Sequence, residues 1–185
     1  TILRNKATLA GNIINASPIG DVTIILLALG SHLVIEGPDG SVRETPLSEF
    51  YLGYKKTALS CGEIVREIVI PILNDARFNF EKVSNRTTLD IAAVNTALRL
   101  TTAPDGAITD LRISAGGVAP IPLLIGGLDV FHGKKLDSET VEAIAGTSMD
   151  AATPIDDIRG SAEYKKLLLR QLVLAHFQGQ TSTIH

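Results

Sequence analysis

The sequence predicts an α+β fold, and three observations carry that expectation. Strand signals crowd the stretch before residue 117, and helix signals fill the stretch after 137. Two turn signals, Gly37-Pro38-Asp39-Gly40 and Asp105-Gly106, each sit between candidate strands and read as hairpins. The chain has 185 residues, a length for one domain or two small ones. A hydrophobic fraction of 45% and a charged fraction of 20% exclude disorder and coiled coil as the main state.

Taken in order, Thr1-Ile2-Leu3-Arg4 opens without a methionine and runs straight into a dense motif, as in a fragment or a processed chain. Residues 7–21 show neither a helical nor a strand period, so they read as a structured loop with a short helical turn around Asn12 to Asn15. Asp21 is placed to cap a helix over Val22 to Leu29, and Gly30 to stop it. His32 to Glu36 and Ser41 to Thr45 read as paired strands, Pro46 to Phe50 as a helical piece, and Tyr51 to Ser60 as loop. Glu63 to Ile70 alternates, its uncharged residues are all β-branched, and Pro71 ends it, which fits a strand.

Residues 72–77 read as a boundary, giving units of 1–75 and 76–180. Ile91, Val94 and Leu98 would share one face of a helix. Asp105-Gly106 argues instead for a hairpin, so both 91–100 and 108–116 are predicted as strands. Asp137 or Ser138 can cap one helix and Ser161 a last one, with Tyr164, Leu167, Leu168 and Leu172 as its buried stripe. Thr181 to His185 should be disordered.

Composition narrows the function. Lys+Arg is 17 against Asp+Glu 20, a net charge of -3, which does not suit a nucleic-acid backbone. The single cysteine, Cys61, excludes an internal disulfide and a four-thiolate metal site. Val22 to Leu29, the longest mostly apolar run, is too short to span a bilayer, and no signal peptide precedes it. The expectation is a cytoplasmic protein with no membrane and no nucleic-acid partner. The four histidines lack metal-ligand spacing and read as surface or half-buried, so neither a metal site nor a catalytic side chain is expected.

The loop at 7–21 carries the chemistry. Thr8, Asn12, Asn15 and Ser17 bring short polar side chains together, while Ala10 and Gly11 let the backbone approach a ligand. Such a loop can aim N–H groups and hydroxyls at a phosphate, with Asp21 suited to ribose hydroxyls. On residue chemistry alone it reads equally as a turn-rich connection that satisfies its own backbone.

Five ordered motifs weigh on that choice. They are Ala7 to Asp21, Phe50 to Leu59, Lys82-Val83-Ser84-Asn85-Arg86 with Asp90-Ile91-Ala92, Gly116-Gly117-Val118-Ala119-Pro120, and Pro154 to Tyr164. Together they resemble the FAD-binding unit of the xanthine dehydrogenase (molybdenum hydroxylase) family. The resemblance implies the C-terminal part of a two-subdomain FAD-binding unit, then a three-stranded antiparallel sheet packed on a helical bundle. A preceding subdomain with a glycine-rich loop would be missing.

It further implies FAD as cofactor, with the molybdenum cofactor and iron–sulfur clusters on partner subunits or domains, and NAD or another acceptor. The function it implies is oxidoreductase electron transfer, not carried out by this chain alone. Carried over position by position, Thr8, Leu9, Ala10, Gly11 and Asn12 face the pyrophosphate or ribityl region, and Asn15 and Ser17 support that loop. Asp21 binds the adenosine ribose, and Val65 and Lys82 lie near the flavin and adenine ends. Tyr54 sits where an acceptor approaches the flavin. Ala10 replaces a glycine usual in the family, and Val83 to Leu89 lacks the acidic cluster of some NAD-using members. A cofactor-free interaction domain that keeps the fold is the alternative.

Overall fold

The computed structural model describes residues 5–84 and 91–178. The Asn85-Arg86 and Asp90 parts of the third motif, the opening Thr1 to Arg4 and the tail Thr181 to His185 lie outside the described residues.

Asn5 and Lys6 are helical, and after them comes α1 (Leu9–Ile14), where a loop with one helical turn was expected. Thr8 is extended, and its hydroxyl accepts the Gly11 N–H at 3.0 Å, so the helix begins earlier than hydropathy reveals. Six residues are too few to display a period. In α2 (Asp21–Leu29) Gly20 is the N-cap and Asp21 the first helical residue, correcting the expected cap. Gly30, at φ 76°, ends it as predicted.

β1 (His32–Glu36), β2 (Val42–Pro46) and β5 (Ile64–Val69) form an antiparallel sheet in the order β2-β1-β5. After α3 (Leu47–Phe50), the stretch expected as loop contains a small hairpin, β3 (Tyr51–Gly53) and β4 (Lys56–Thr57), turning at Lys55 with φ 57°. Arg43 fixes this region. Its guanidinium forks onto Glu63 with two 2.9 Å contacts and donates to the Ala58 carbonyl at 2.7 Å. That fork holds the Glu63 carboxyl at about 2.

The second unit is an antiparallel sheet of β6 (Arg77–Ser84), β7 (Ala92–Thr102), β8 (Ile108–Gly116) and β9 (Leu123–Leu124), in sequence order. Residues 91–100 are therefore strand, as Asp105-Gly106 argued. The expected three strands gain a two-residue edge strand, too short to signal itself. A 3₁₀ turn (Leu128–Phe131) leads to α4 (Ser138–Ala151) and α5 (Ala162–Ala175). Asp137 and Ser161 cap them, each accepting the N–H of the residue three places on.

The two faces of β7 differ in chemistry. Val94, Leu98 and Leu100 join Ile113, Ile144, Leu169 and Val173 in the core beneath the helices. The opposite face carries small and polar groups. Lys82, Asn95 and Gly116 stand in one cross-strand row, Phe80, Ala97 and Ser114 in the next, and Phe78, Arg99 and Arg112 in a third. Ala97 and Phe80 pack into the first unit's core with Ile24, Leu33 and Phe50. α2 lies on that face. Ser114 Oγ donates to the Ile24 carbonyl at 2.6 Å, and Arg99 donates to the Leu29 carbonyl at 2.8 Å while pairing with Asp110. An arginine at the helix C-terminus also complements its dipole.

Two glycines permit the close approach. Gly117 has φ 82°, a region that side chains rarely adopt, and a Cβ there would collide with the Ala93 carbonyl. A Cβ on Gly116 would strike the Asn95 amide oxygen and come within 2.9 Å of the Pro18 oxygen. The Gly117 N–H meanwhile donates to the Pro18 carbonyl at 2.9 Å.

Two expectations are corrected in and beside α5. Tyr164 and Leu167 are exposed, at 42% and 51%, and the buried stripe is Lys165, Leu169, Leu172 and Val173. Hydropathy hides Lys165 because its stem is apolar while its ammonium finds acceptors inside: the Ile155 carbonyl and Asp157, each at 2.8 Å. His176, expected at the surface or half-buried, is fully buried. Its Nδ1 faces the Asn79 amide nitrogen, a donor, so Nδ1 accepts and Nε2 carries the proton toward Thr96 Oγ1 at 2.9 Å.

Burial, helped by the nearby Arg77 charge, lowers the His176 pKa from 6.5 to about 4. Between those values the unfolded chain binds the proton and the folded chain does not, so stability falls as pH drops through that window. The full effect is on the order of 3 kcal/mol. Urea unfolding from pH 7.5 down to 4.5 should show the slope, and His176→Gln should flatten it; an unchanged slope would refute the assignment. Gly117→Ala should destabilise by at least about 2 kcal/mol, through left-handed strain plus the clash, and thermal unfolding checks it.

Candidate functional site

Asp21 lies where the two units meet. Being the first residue of α2, with the cap left to Gly20, its carboxylate is free to reach across to the second sheet. Lys82 on β6 donates to Oδ2 at 2.8 Å, and Asn95 on β7 donates to Oδ1 at 2.5 Å. The Asp21 side chain stays 37% exposed. Each carboxylate oxygen has a second lone pair, so the group can still accept from a ligand outside.

The 8–12 segment is the start of α1. Thr8, Leu9, Gly11 and Asn12 are exposed and Ala10 half-buried, so the segment faces solvent. Thr8 Oγ1 accepts from Gly11, which leaves its proton to donate outward. A Cβ at position 11 would come within 2.9 Å of that hydroxyl, so glycine keeps it accessible. The far end of α1 is anchored by the buried Tyr51, whose phenol donates to the Ile13 carbonyl at 3.2 Å. Burial raises that phenol to about 12, so it remains a donor.

Asn15 is held from a residue the sequence did not single out. Lys55 Nζ donates to the Asn15 carbonyl at 2.7 Å and to its side-chain oxygen at 3.2 Å. Ser17 and the exposed Tyr54 line a cleft of about 610 Å³ between the units, whose far wall includes Gly117, Thr153, Ile155 and Arg159. Lys165 braces that wall from inside through its bonds to Ile155 and Asp157. Asp157 also accepts the Arg159 N–H at 2.8 Å, which fixes the turn before α5.

The structure thus joins Asp21 to Lys82, Asn15 to the Tyr54 hairpin, and Ser17 to Tyr54 across one cleft. Val65 is not drawn into this set. It is half-buried on β5, paired with Ile35 and packed against the first core. Sequence reasoning missed Asn95, Lys55 and Lys165. For Asn95 the only available signal was its place opposite Lys82, which needs the strand register.

The residues fit a nucleotide-bearing cofactor. A solvent-facing carboxylate is fixed by two donors, a hydroxyl able to donate outward stands at the start of α1, and Ser17, between them in sequence, lines the cleft. Among the described residues no group of three or more His, Cys, Asp or Glu is placed to hold a metal. None of the described helices is long and apolar enough to cross a membrane.

Both units have counterparts in known proteins. Residues 1–73 match the family described as the FAD binding domain in molybdopterin dehydrogenase, and residues 79–179 match the CO dehydrogenase flavoprotein C-terminal domain. The chain is 31% identical to the carbon monoxide dehydrogenase medium chain of Hydrogenophaga pseudoflava, over 92% of this chain and 59% of that one. It is 30% identical to xanthine dehydrogenase of Blastobotrys adeninivorans, over 98% of this chain but 13% of that one. The solved carbon monoxide dehydrogenase of Hydrogenophaga pseudoflava superimposes with a TM-score of 0.86 at 30% identity, covering 94% of this chain and 60% of that one. Quinoline 2-oxidoreductase from Pseudomonas putida 86 does so with a TM-score of 0.82 at 26% identity, covering 95% and 60%. The chain therefore spans about 60% of the medium chains it matches. With both units matched in order and the site assembled between them, the chain belongs to the FAD-subunit family of the molybdenum hydroxylases.

Proposed function

We propose that this chain is the FAD-holding, electron-transferring part of a molybdenum hydroxylase. FAD held here would link iron–sulfur clusters on a partner subunit or domain to NAD or another acceptor. The observation that carries the reading is Asp21, a carboxylate held by Lys82 and Asn95 and still open to solvent.

In this reading the chain's residues bind and orient. Asp21 accepts the hydroxyls of the adenosine ribose. The Thr8 hydroxyl and the 9–12 backbone face the pyrophosphate or ribityl region, with Asn15 and Ser17 shaping the loop behind them. Lys82 serves the adenine end and holds Asp21 in place. Val65 supports the flavin end through the sheet it belongs to. Tyr54 stands at the cleft mouth, where the acceptor approaches. FAD supplies the redox chemistry, taking single electrons and releasing them as a pair. No side chain has to move a proton.

The molybdenum cofactor and the clusters reside on partner subunits, and the chain alone is not active. The work of a cytoplasmic oxidoreductase component is the function that fits these residues best. A preceding glycine-rich subdomain closes the other side of the cofactor. Without it one face of the bound adenosine diphosphate stays in water, where charge–dipole contacts weaken and ordering the loop opposes binding.

Two measurements test this. In the complete flavoprotein, Asp21→Ala should weaken FAD by about 1.5–3 kcal/mol, the range for a charge-assisted hydrogen bond, and Thr8→Ala by less. Unchanged affinity for the Asp21 variant removes that residue from the site. Calorimetry with the isolated 185-residue chain should show only weak FAD binding, restored by supplying the preceding segment as a separate polypeptide. A yellow isolated chain with submicromolar affinity would refute this anatomy, and a complete flavoprotein that binds no flavin would favour the cofactor-free interaction domain.

A further inference from the structure

We infer that Asn95 is a positioning residue of the ribose site. It holds the Asp21 carboxylate in its ligand-accepting orientation without touching the cofactor itself. The inference rests on the reading of Asp21 as the ribose acceptor.

Asn95 is fully buried on β7, in register with Lys82 on one side and Gly116 on the other. Its amide nitrogen donates twice into the first unit, to Asp21 Oδ1 at 2.5 Å and to the Ile19 carbonyl at 3.3 Å. Both partners are acceptors, so the orientation of the amide is determined: nitrogen toward α2, oxygen toward β8. Among the described residues the oxygen then has no partner, although it is buried. It lies against the bare Cα of Gly116, where any side chain would collide with it.

An unpartnered buried carbonyl opposes folding. For stability alone, an apolar residue of similar size would serve this position better. What such a residue lacks is an N–H aimed at Asp21. Lys82 by itself leaves Asp21 free to swing about a flexible stem, because an ammonium on a long chain is a point charge with no fixed direction. The Asn95 amide is short, rigidly oriented and anchored to a second acceptor on the same loop. It fixes one carboxylate oxygen while Lys82 holds the other, and the remaining lone pairs face solvent. Cofactor affinity thus depends on a strand outside the stretch 1–73 that matches the FAD-binding family.

Asn95→Asp tests this, because it keeps the side chain's shape and replaces the donor nitrogen with an oxygen. FAD is titrated into the deflavinated, full-length flavoprotein carrying Asp21→Ala, Asn95→Asp or both, with thermal unfolding of each apoprotein in parallel. Asn95→Ala replaces the aspartate variant if that one does not fold. The expected result is that each single variant weakens FAD about tenfold or more, as for loss of a hydrogen bond involving a charged group. The double variant should be no weaker than Asp21→Ala alone, since both act through one carboxylate. If Asn95→Asp binds FAD as the parent does while Asp21→Ala does not, the inference is overturned. It is equally overturned if the two losses add, because Asn95 would then act elsewhere. If Asp21→Ala itself leaves affinity unchanged, the ribose reading fails and takes this inference with it.

Discussion

The burial of α2 between two sheets is the constraint on which the rest of the structure depends. Eight of its nine residues carry no charge, and Thr23, Ile24, Leu26, Leu27 and Ala28 are all buried. One side of the helix completes the first core with Leu33, Ile35 and Phe50. The other lies against the small-residue face of β7 and β8. A helix apolar on nearly all sides has no stable position on a surface. It has to be covered twice, and the second cover is the second unit. Polar contacts then fix how it lies: Asp21 at its start is tied to β6 and β7, and the Leu29 carbonyl at its end is tied to Arg99.

That docking accounts for the shape of the site. No residue range taken alone contains it. The carboxylate comes from α2, its two donors from the second sheet, and the cleft from loops of both units. Gly116 and Gly117 let the Ser17 to Gly20 segment lie directly on the strands, so the position of Asp21 is set by backbone contact as well as by side chains. Lys165 performs the equivalent task on the opposite wall, where a buried ammonium is satisfied by a carbonyl and a carboxylate in place of water.

The sequence was legible where local chemistry decides and illegible where tertiary contact does. Gly30, Asp137 and Ser161 could be read as helix ends because capping is a property of a few neighbouring residues. Residues 92–98 are all buried, so their hydropathy does not alternate and the periodicity was ambiguous; the Asp105-Gly106 turn resolved it. The loop motif pointed to Thr8 and Asp21, but the shortness of α1 hid its helix. Lys165 was missed and His176 placed too near the surface because each is polar in composition and buried in fact, made tolerable by partners distant in sequence. Asn95 was invisible for the same reason: its meaning lies in a row of three strands.

The two-sided burial of α2 also sets how the chain can be divided. The gap in family matches between 73 and 79 looks like a natural place to cut. A cut there would separate two stretches of chain but not two independent bodies. The N-terminal piece would expose the side of α2 that Ala97 and Phe80 cover, an apolar strip with no substitute lid. The C-terminal piece would present Arg99, Asn95 and Ser114 without their partners. Such halves would associate with each other or precipitate, and the pair would melt in a single cooperative transition. For this chain the boundary between the two family matches is a break in the sequence, while the unit of folding runs straight across it.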